Sequence, residues 1–395
     1  MSIAILFTNG RPITTQNGVE RVTGVLAKHF REKGFQVYFM HLRKYRHTEL
    51  YSDPVYFFPE EDPGSKSNME FYHAFLKDKN IRIIINQSAE WIGESSAFLN
   101  TGDQPVIKLS CYHSRPLRNI DTINSFFPKQ KLTIAKIIKM ILYPYFRRRE
   151  SKKIKKLFIF LQQNNRFVVL LSLKFIPQLM HWPEIDPYKF TALPNPNTFS
   201  GIPFIPSVAK RKQLLYVGRL MYEAKNIFAL ISIWKKLYKQ FLDWELILCG
   251  DGPQEALVKA EVQSLPNVRV TGFKDPRPYY QTASIFCFTS TYEGWGLGLT
   301  ESMQYSMIPV AFNSFESITD IIEDGVSGFI IRPYSISKYV KCLTYLMNLP
   351  DEDRDVIAMN AYQSVKKYDV ENVMLQWTDF IHQLINEDET HSTDI

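Results

Sequence analysis

A chain of 395 residues with 45% hydrophobic and 22% charged content is ample for two α/β domains. Its net charge of +7 suits an anionic partner without naming one. The four cysteines, Cys111, Cys249, Cys287 and Cys342, are scattered with no C-x-x-C pair and read as reduced thiols of a cytosolic protein. No apolar run approaches the roughly 20 residues of a membrane span, so the chain reads as soluble or at most peripheral.

Met1-Ser-Ile-Ala-Ile-Leu-Phe has no basic leader and reads as a first strand, over Ile3–Thr8. A loop over Asn9–Asn17 leads to a helix that starts at Gly18, a close-approach position. Val22, Val25, Leu26 and Phe30 share one face of that helix, and Gly34 is a natural stop. A second strand is predicted over Gln36–His41. The dinucleotide fingerprint G-x-G-x-x-G is missing from this loop, which speaks against a dehydrogenase. No G-x-x-x-x-G-K-[ST] occurs in the chain, which speaks against a P-loop NTPase. Further strands are predicted over Arg82–Gln87, Val106–Tyr112 and Phe167–Ser172, each a near-continuous apolar run suited to a parallel sheet covered on both faces. His113 follows the second of these at the edge where open α/β sheets bind ligands. By spacing alone it is as readily a core or surface histidine as a site residue.

Residues 129–156 carry eleven Lys or Arg against the single acid Glu150, so this stretch alone is +10 and the rest of the chain −3. Isoleucines and leucines interleave with the lysines. The pattern suits an anionic membrane surface; a solvated basic face is the alternative, and no nucleic-acid motif accompanies it. Seven prolines between Pro177 and Pro206 mark an interdomain connection. The predicted division is a first domain over 1–197, a linker over 198–212, a second domain over 213–370, a terminal helix over 371–386 and a disordered polar tail over 387–395.

The second domain opens on a strand at Gln213 and runs into Gly218-Arg-Leu-Met-Tyr-Glu-Ala-Lys-Asn226. Arg219 and Lys225 lie on that loop; two cations at a strand's C-terminal end suit a diphosphate, although either could be an ordinary surface charge. A strand over Glu245–Cys249 ends in Gly250-Asp-Gly-Pro253. Another over Val268–Gly272 precedes Phe273. The strand over Ser284–Thr289 leads to Gly294, Gly296 and Gly298, after which helical residues resume. Strand, glycine turn and helix start, near Leu297, form an anion site of bare N–H groups at the positive end of the helix dipole. Glu293 and Glu301 bracket the turn. Carboxylates there would repel phosphate, so they suit hydroxyls on either side of it, which together describe a nucleotide-sugar. Ile308–Phe312 is a further strand, and Gly325-Val-Ser-Gly328 a turn into a last one.

Glu293-Gly-Trp-Gly-Leu-Gly-Leu-Thr-Glu301 resembles the E-x7-E signature of retaining GT-B glycosyltransferases of family 4, usually E-G-F-G-L-x-x-x-E-A, with Trp295 and Ser302 as departures. Gly218–Asn226 is similar to the family's G-R-x-x-x-x-x-K-N loop, Gly250–Pro253 to its G-D-G-P turn, and the run around Gly325–Arg332, with Asp324 before it, to its D-G-x-x-G run. The loop before Gly18 resembles G-G-x-E, with Asn17 in place of the first glycine. The resemblance covers most of residues 213–335 and is thin over the first domain. It implies an α/β GT-B fold, two Rossmann-like domains facing each other across a cleft. It further implies hexosyl transfer with retention, without cofactor or obligatory metal, and no D-x-D motif is placed to hold one. In that scheme Arg219, Lys225 and the helix start near Leu297 neutralise the diphosphate, beside Gly250, Gly294 and Gly296. Glu293 orients the donor sugar, Glu301 holds the ribose, and Phe273 packs near the base. His113 and Gly18 close the sugar pocket from the other domain. The expected donor is a UDP-sugar. The expected acceptor is a saccharide, lipid-linked, on the inner face of a bacterial membrane, in polysaccharide or lipopolysaccharide synthesis. A non-hydrolysing UDP-sugar epimerase and a non-enzymatic, membrane-docked sensor of nucleotide-sugars are the rivals.

Overall fold

The computed structural model describes residues 3–9, 18–42, 55–118 and 134–393. The loop over 10–17 with Asn17, residues 129–133 of the basic stretch and the last two residues of the tail lie outside the described residues. One compact unit holds the described residues up to Pro116, then Arg148–Thr198, then the chain from Val370; a second holds the described residues of Leu117–Arg147 and then Phe199–Asp369.

The sheet of the first unit has seven parallel strands: β1 Ala4–Asn9, β2 Gln36–His41, β3 Val55–Phe57, β4 Ile81–Asn86, β5 Ile107–Cys111, β6 Phe167–Leu170 and β7 Phe190–Ala192. Their order is β3-β2-β1-β4-β5-β6-β7. Ile5, Leu6, Ile83, Ile84 and Ile85 are fully buried, which is why β1 and β4 are apolar on both faces. The helix Gly18–Glu32 buries Val22, Leu26 and Phe30 and stops at Gly34, whose φ of +90° favours glycine. Ser65 caps the helix Lys66–Asp78 by accepting from the Asn68 N–H at 3.2 Å.

β3 and β7 are three-residue edge strands that the sequence reading does not anticipate, β7 lying inside the proline-rich run. The tail is a second correction. The helix Val370–Thr393 continues well past 386. Arg166 bonds Glu387 at 2.8 Å, and Arg82 lies 3.9 Å from both Asp388 and Glu389, so the acids beyond 386 have cations to meet. Further up, the same helix packs Trp377 edge-on against Phe30 at 6.3 Å and Phe380 against Phe167 at 5.5 Å. The basic stretch forms the helix Ile134–Asn164, with Pro144 inside it. Its second half buries Ile154, Leu157, Phe158 and Leu161 at helical spacing.

The second unit has six parallel strands: β8 Arg211–Val217, β9 Glu245–Cys249, β10 Val268–Gly272, β11 Ala283–Phe288, β12 Ile308–Phe312 and β13 Phe329–Ile331. Their order is β10-β9-β8-β11-β12-β13. The chain builds outward from β8 and then crosses back to lay β11 on the other side of it. The first sheet repeats this logic at β1 and β4. Each unit is therefore a Rossmann-like doubly wound sheet with a switch point, β1/β4 in one and β8/β11 in the other.

Candidate active site

The loops leaving β8 and β11 meet at the switch point of the second unit. Thr289 donates its hydroxyl to the Lys225 carbonyl at 3.0 Å, and the Thr291 N–H donates to the Ala224 carbonyl at 2.8 Å. Asn226, at φ +48°, ends the loop and starts the helix Ile227–Leu237. This stitching brings Lys225 and Glu293 into an ion pair whose side chains are only 25% and 16% exposed. The Lys225 ammonium also sits 5.8 Å above the Phe288 ring. Arg219 is exposed and, among the described residues, has no ion pair; the Tyr216 hydroxyl pins its carbonyl at 2.8 Å.

Gly250 serves the site by close approach. A Cβ there would stand 2.0 Å from the Gly218 carbonyl oxygen, and one at Gly252 would stand 2.6 Å from that of Leu220. The turn at Gly250–Pro253 is thus the buttress under the Arg219 loop, a reason for its glycines that needs no ligand. Phe273, just beyond β10, is 62% exposed.

Ser317 donates to the Gly294 carbonyl at 2.9 Å, and Gly296 adopts φ +89° to begin the helix Leu297–Gln304. Trp295 is buried edge-on against Tyr368 at 4.9 Å. Leu297 is the first residue of that helix, so the helix dipole's positive end faces the same switch point as Lys225. Glu301, one turn inside, is 2% exposed and accepts from the Tyr280 hydroxyl at 3.0 Å. The structure therefore gathers Arg219, Lys225, Glu293, Gly294, Gly296, Leu297 and Glu301 onto two loops and one helix start.

His113 and Gly18 belong to the first unit. His113 follows β5 and bonds the side-chain oxygen of Gln87, which follows β4. Burial holds the imidazole down to about 4 against the opposing pull of Glu90, so it is neutral at physiological pH. Ser114 donates to Glu90. Asn86, at the end of β4, donates to Ser95 and Ser110 at 3.0 Å each and fixes this edge. Gln87, His113, Asn195, Val22 and Trp377 line a small cavity there. Gly18 opens the helix that follows β1. Gln87, Tyr280, Thr289 and Thr291 escape a sequence reading. Gln87 sits at a strand's C-terminal end, a signal that could have found it, whereas Tyr280 carries none beyond its apolar pattern. Among the described residues no cluster of His, Cys, Asp or Glu could hold a metal ion, and no helix is long and apolar enough to cross a membrane.

Two doubly wound parallel-sheet units, one of them with a cationic glycine turn at its switch point, make an α/β protein with the GT-B fold. Residues 202–364 match the family model described as glycosyl transferases group 1. The chain is similar to an uncharacterised glycosyltransferase of Haemophilus influenzae, 28% identical over 190 residues, 47% of this chain and 53% of that one. It is likewise similar to the amylovoran biosynthesis glycosyltransferase AmsD of Erwinia amylovora, 29% identical over 178 residues, 44% of this chain and 49% of that one. The matches thus span about half the length of these relatives. Among solved structures, TarM superposes with a TM-score of 0.75 at 13% identity, covering 96% of this chain and 98% of that one. HepE of Anabaena, solved with UDP and glucose, superposes with a TM-score of 0.71 at 15% identity, covering 96% of this chain and all of that one.

Proposed function

We propose that the protein is a retaining, metal-independent glycosyltransferase. It moves a hexosyl unit from a nucleotide-sugar, first among them a UDP-sugar, to a lipid-linked saccharide in cell-surface polysaccharide or lipopolysaccharide synthesis. The observation that carries this reading is the Lys225–Glu293 pair set beside the glycine-turn helix start. Arg219, Lys225 and the N–H groups at Leu297 supply positive charge where a diphosphate departs, and fixed positive charge at a developing anion is the strongest catalytic effect open to such a site. Glu293 holds the donor sugar's hydroxyls while its charge keeps Lys225 in place, and Glu301 receives the ribose. His113, neutral and therefore able to donate or accept, together with Gly18, contributes the sugar-side contacts of the first unit. The UDP seen with HepE supports the choice of base, and the name amylovoran biosynthesis glycosyltransferase supports a polysaccharide setting.

The basic helix belongs to the same reading. Leu142 is 41% and Tyr145 62% exposed beside exposed Arg147, Arg148 and Arg149, a combination suited to an anionic bilayer surface. A relative named alpha-monoglucosyldiacylglycerol synthase, 27% identical over 160 residues, supports a lipid acceptor. Incubation with a panel of UDP-, GDP- and ADP-sugars tests the whole proposal, read as free hexose released without acceptor and as product anomer by NMR. Release from one donor with its anomeric configuration kept is the expected result. Tight nucleotide binding with no turnover would mark a sensor, and an epimerised donor an epimerase.

A further inference from the structure

Lys210 is a lysine that the reaction does not use. It immediately precedes β8 in the second unit, and its ammonium has no carboxylate partner among the described residues. Instead it donates to the Tyr280 carbonyl at 2.9 Å and the Tyr305 carbonyl at 2.6 Å. Both carbonyls lie at the edge of the sheet opposite the glycine turn, since Tyr280 precedes β11 and Tyr305 ends the helix Leu297–Gln304. The Tyr305 ring stacks on that of Tyr280 at 5.6 Å and 24°. The Tyr280 hydroxyl in turn donates to Glu301. The segment before β8 is fastened nearby at two more points. Gln304 donates to the Phe199 carbonyl at 2.7 Å, and the Ile205 N–H donates to Ser306 at 2.9 Å.

We propose that Lys210 is a positioning residue for the donor: by clamping Tyr280 and Tyr305 together it holds the phenol that orients Glu301. The inference rests on Glu301 being the ribose ligand. Burial of the ammonium among carbonyls pulls it down to about 7, so the clamp loses its charge in the neutral range. The ammonium itself is shifted by burial alone, and the charged groups that act on the clamped Tyr305 phenol are Arg277, Asp275 and Glu301. A neutral amine still donates, but more weakly than an ammonium, so donor affinity falls as pH rises through 7.

UDP-glucose binding measured by calorimetry from pH 6 to 9 tests this on the whole chain. Lys210→Met should weaken binding about five- to twentyfold at pH 6 and remove the wild-type loss of affinity between pH 6 and 9. Comparing the two proteins cancels any titration of the ligand. Tyr280→Phe keeps the ring stack and removes only the bond to Glu301, so it should cost a similar factor. The double variant should lose less than the product of the two, because both act on one group. If Glu301→Gln weakens binding while Lys210→Met does not, or if the two single losses multiply independently, Lys210 is not a positioning residue and the inference fails alone. If Glu301→Gln leaves UDP-glucose affinity unchanged, the ribose reading falls and takes this inference with it.

Discussion

Lys225 and Glu293 are separate motif residues in the sequence and one unit in the structure. Their ion pair is three-quarters or more withdrawn from solvent on both sides, so truncating either leaves the other poorly solvated and unpaired. Lys225→Ala should therefore cost more than Arg219→Ala, which removes an exposed cation and strands nothing. A charged hydrogen bond of the Arg219 kind is worth about 1.5–3 kcal/mol, so Arg219→Ala should lower kcat/KM with a UDP-sugar about tenfold to a hundredfold. Unchanged kcat/KM would remove Arg219 from the diphosphate. Glu301→Gln keeps the shape and loses the charge that hydroxyls of a ribose would meet. Donor KM should rise severalfold while kcat at saturating donor stays within about twofold, since that contact is made alike in ground and transition states. A fall in kcat with KM unmoved would place Glu301 on the reacting sugar instead.

The elements divide by how much of their information is local. Strands buried on both faces are written as continuous apolar runs, and Glu245–Cys249 and Ile308–Phe312 fall at the residues where the runs stand, whereas Val268–Gly272 is an edge strand with no buried residue. β3 and β7 are too short to carry a pattern, and pairing to β2 and β6 defines them. The acids after 386 read as a tail because the arginines that meet them, Arg82 and Arg166, are remote in sequence. The glycine turn is legible as strand, turn and helix, but the Lys225–Glu293 contact depends on the Thr289 and Thr291 bonds to the facing loop, and no spacing shows those. The helix Ile134–Asn164 is a mixed case. Its basic charge is plain in the sequence, whereas the exposure of Leu142 and Tyr145 is a fact of packing. Each basic side chain near an anionic surface contributes about 1 kcal/mol. Replacing Arg147, Arg148 and Arg149 with Gln should therefore release the protein from anionic vesicles at low salt and leave donor hydrolysis intact. Co-sedimentation decides it: equal partitioning onto neutral and anionic vesicles, or onto neither, returns the helix to a solvated basic face.

At the scale of the whole molecule, the two units carry their titrating groups in different pH windows. His41, in the first unit, is fully buried with its Nδ1 3.0 Å from the Asn9 carbonyl; burial lowers its pKa from 6.5 to about 4 and outweighs that bond. Between pH 6.5 and 4 the unfolded chain takes up a proton that the folded one refuses. The unfolded state then binds more protons, and stability falls as pH falls, by about 3 kcal/mol from this residue. Lys210, in the second unit, is lowered from 10.5 to about 7. Between pH 7 and 10.5 the unfolded chain again holds the extra proton, so stability rises with pH; below 7 both states are charged and the slope vanishes. Scanning calorimetry should therefore show a first-unit transition that sinks between pH 6.5 and 4, and a second-unit transition that climbs above pH 7. Binding of UDP should raise the second alone, since ligand stabilises the unit that holds it. His41→Gln should flatten the acid side and Lys210→Met the alkaline side. A midpoint that keeps its acid slope in His41→Gln would show that other groups, not this histidine, make the first unit acid-labile.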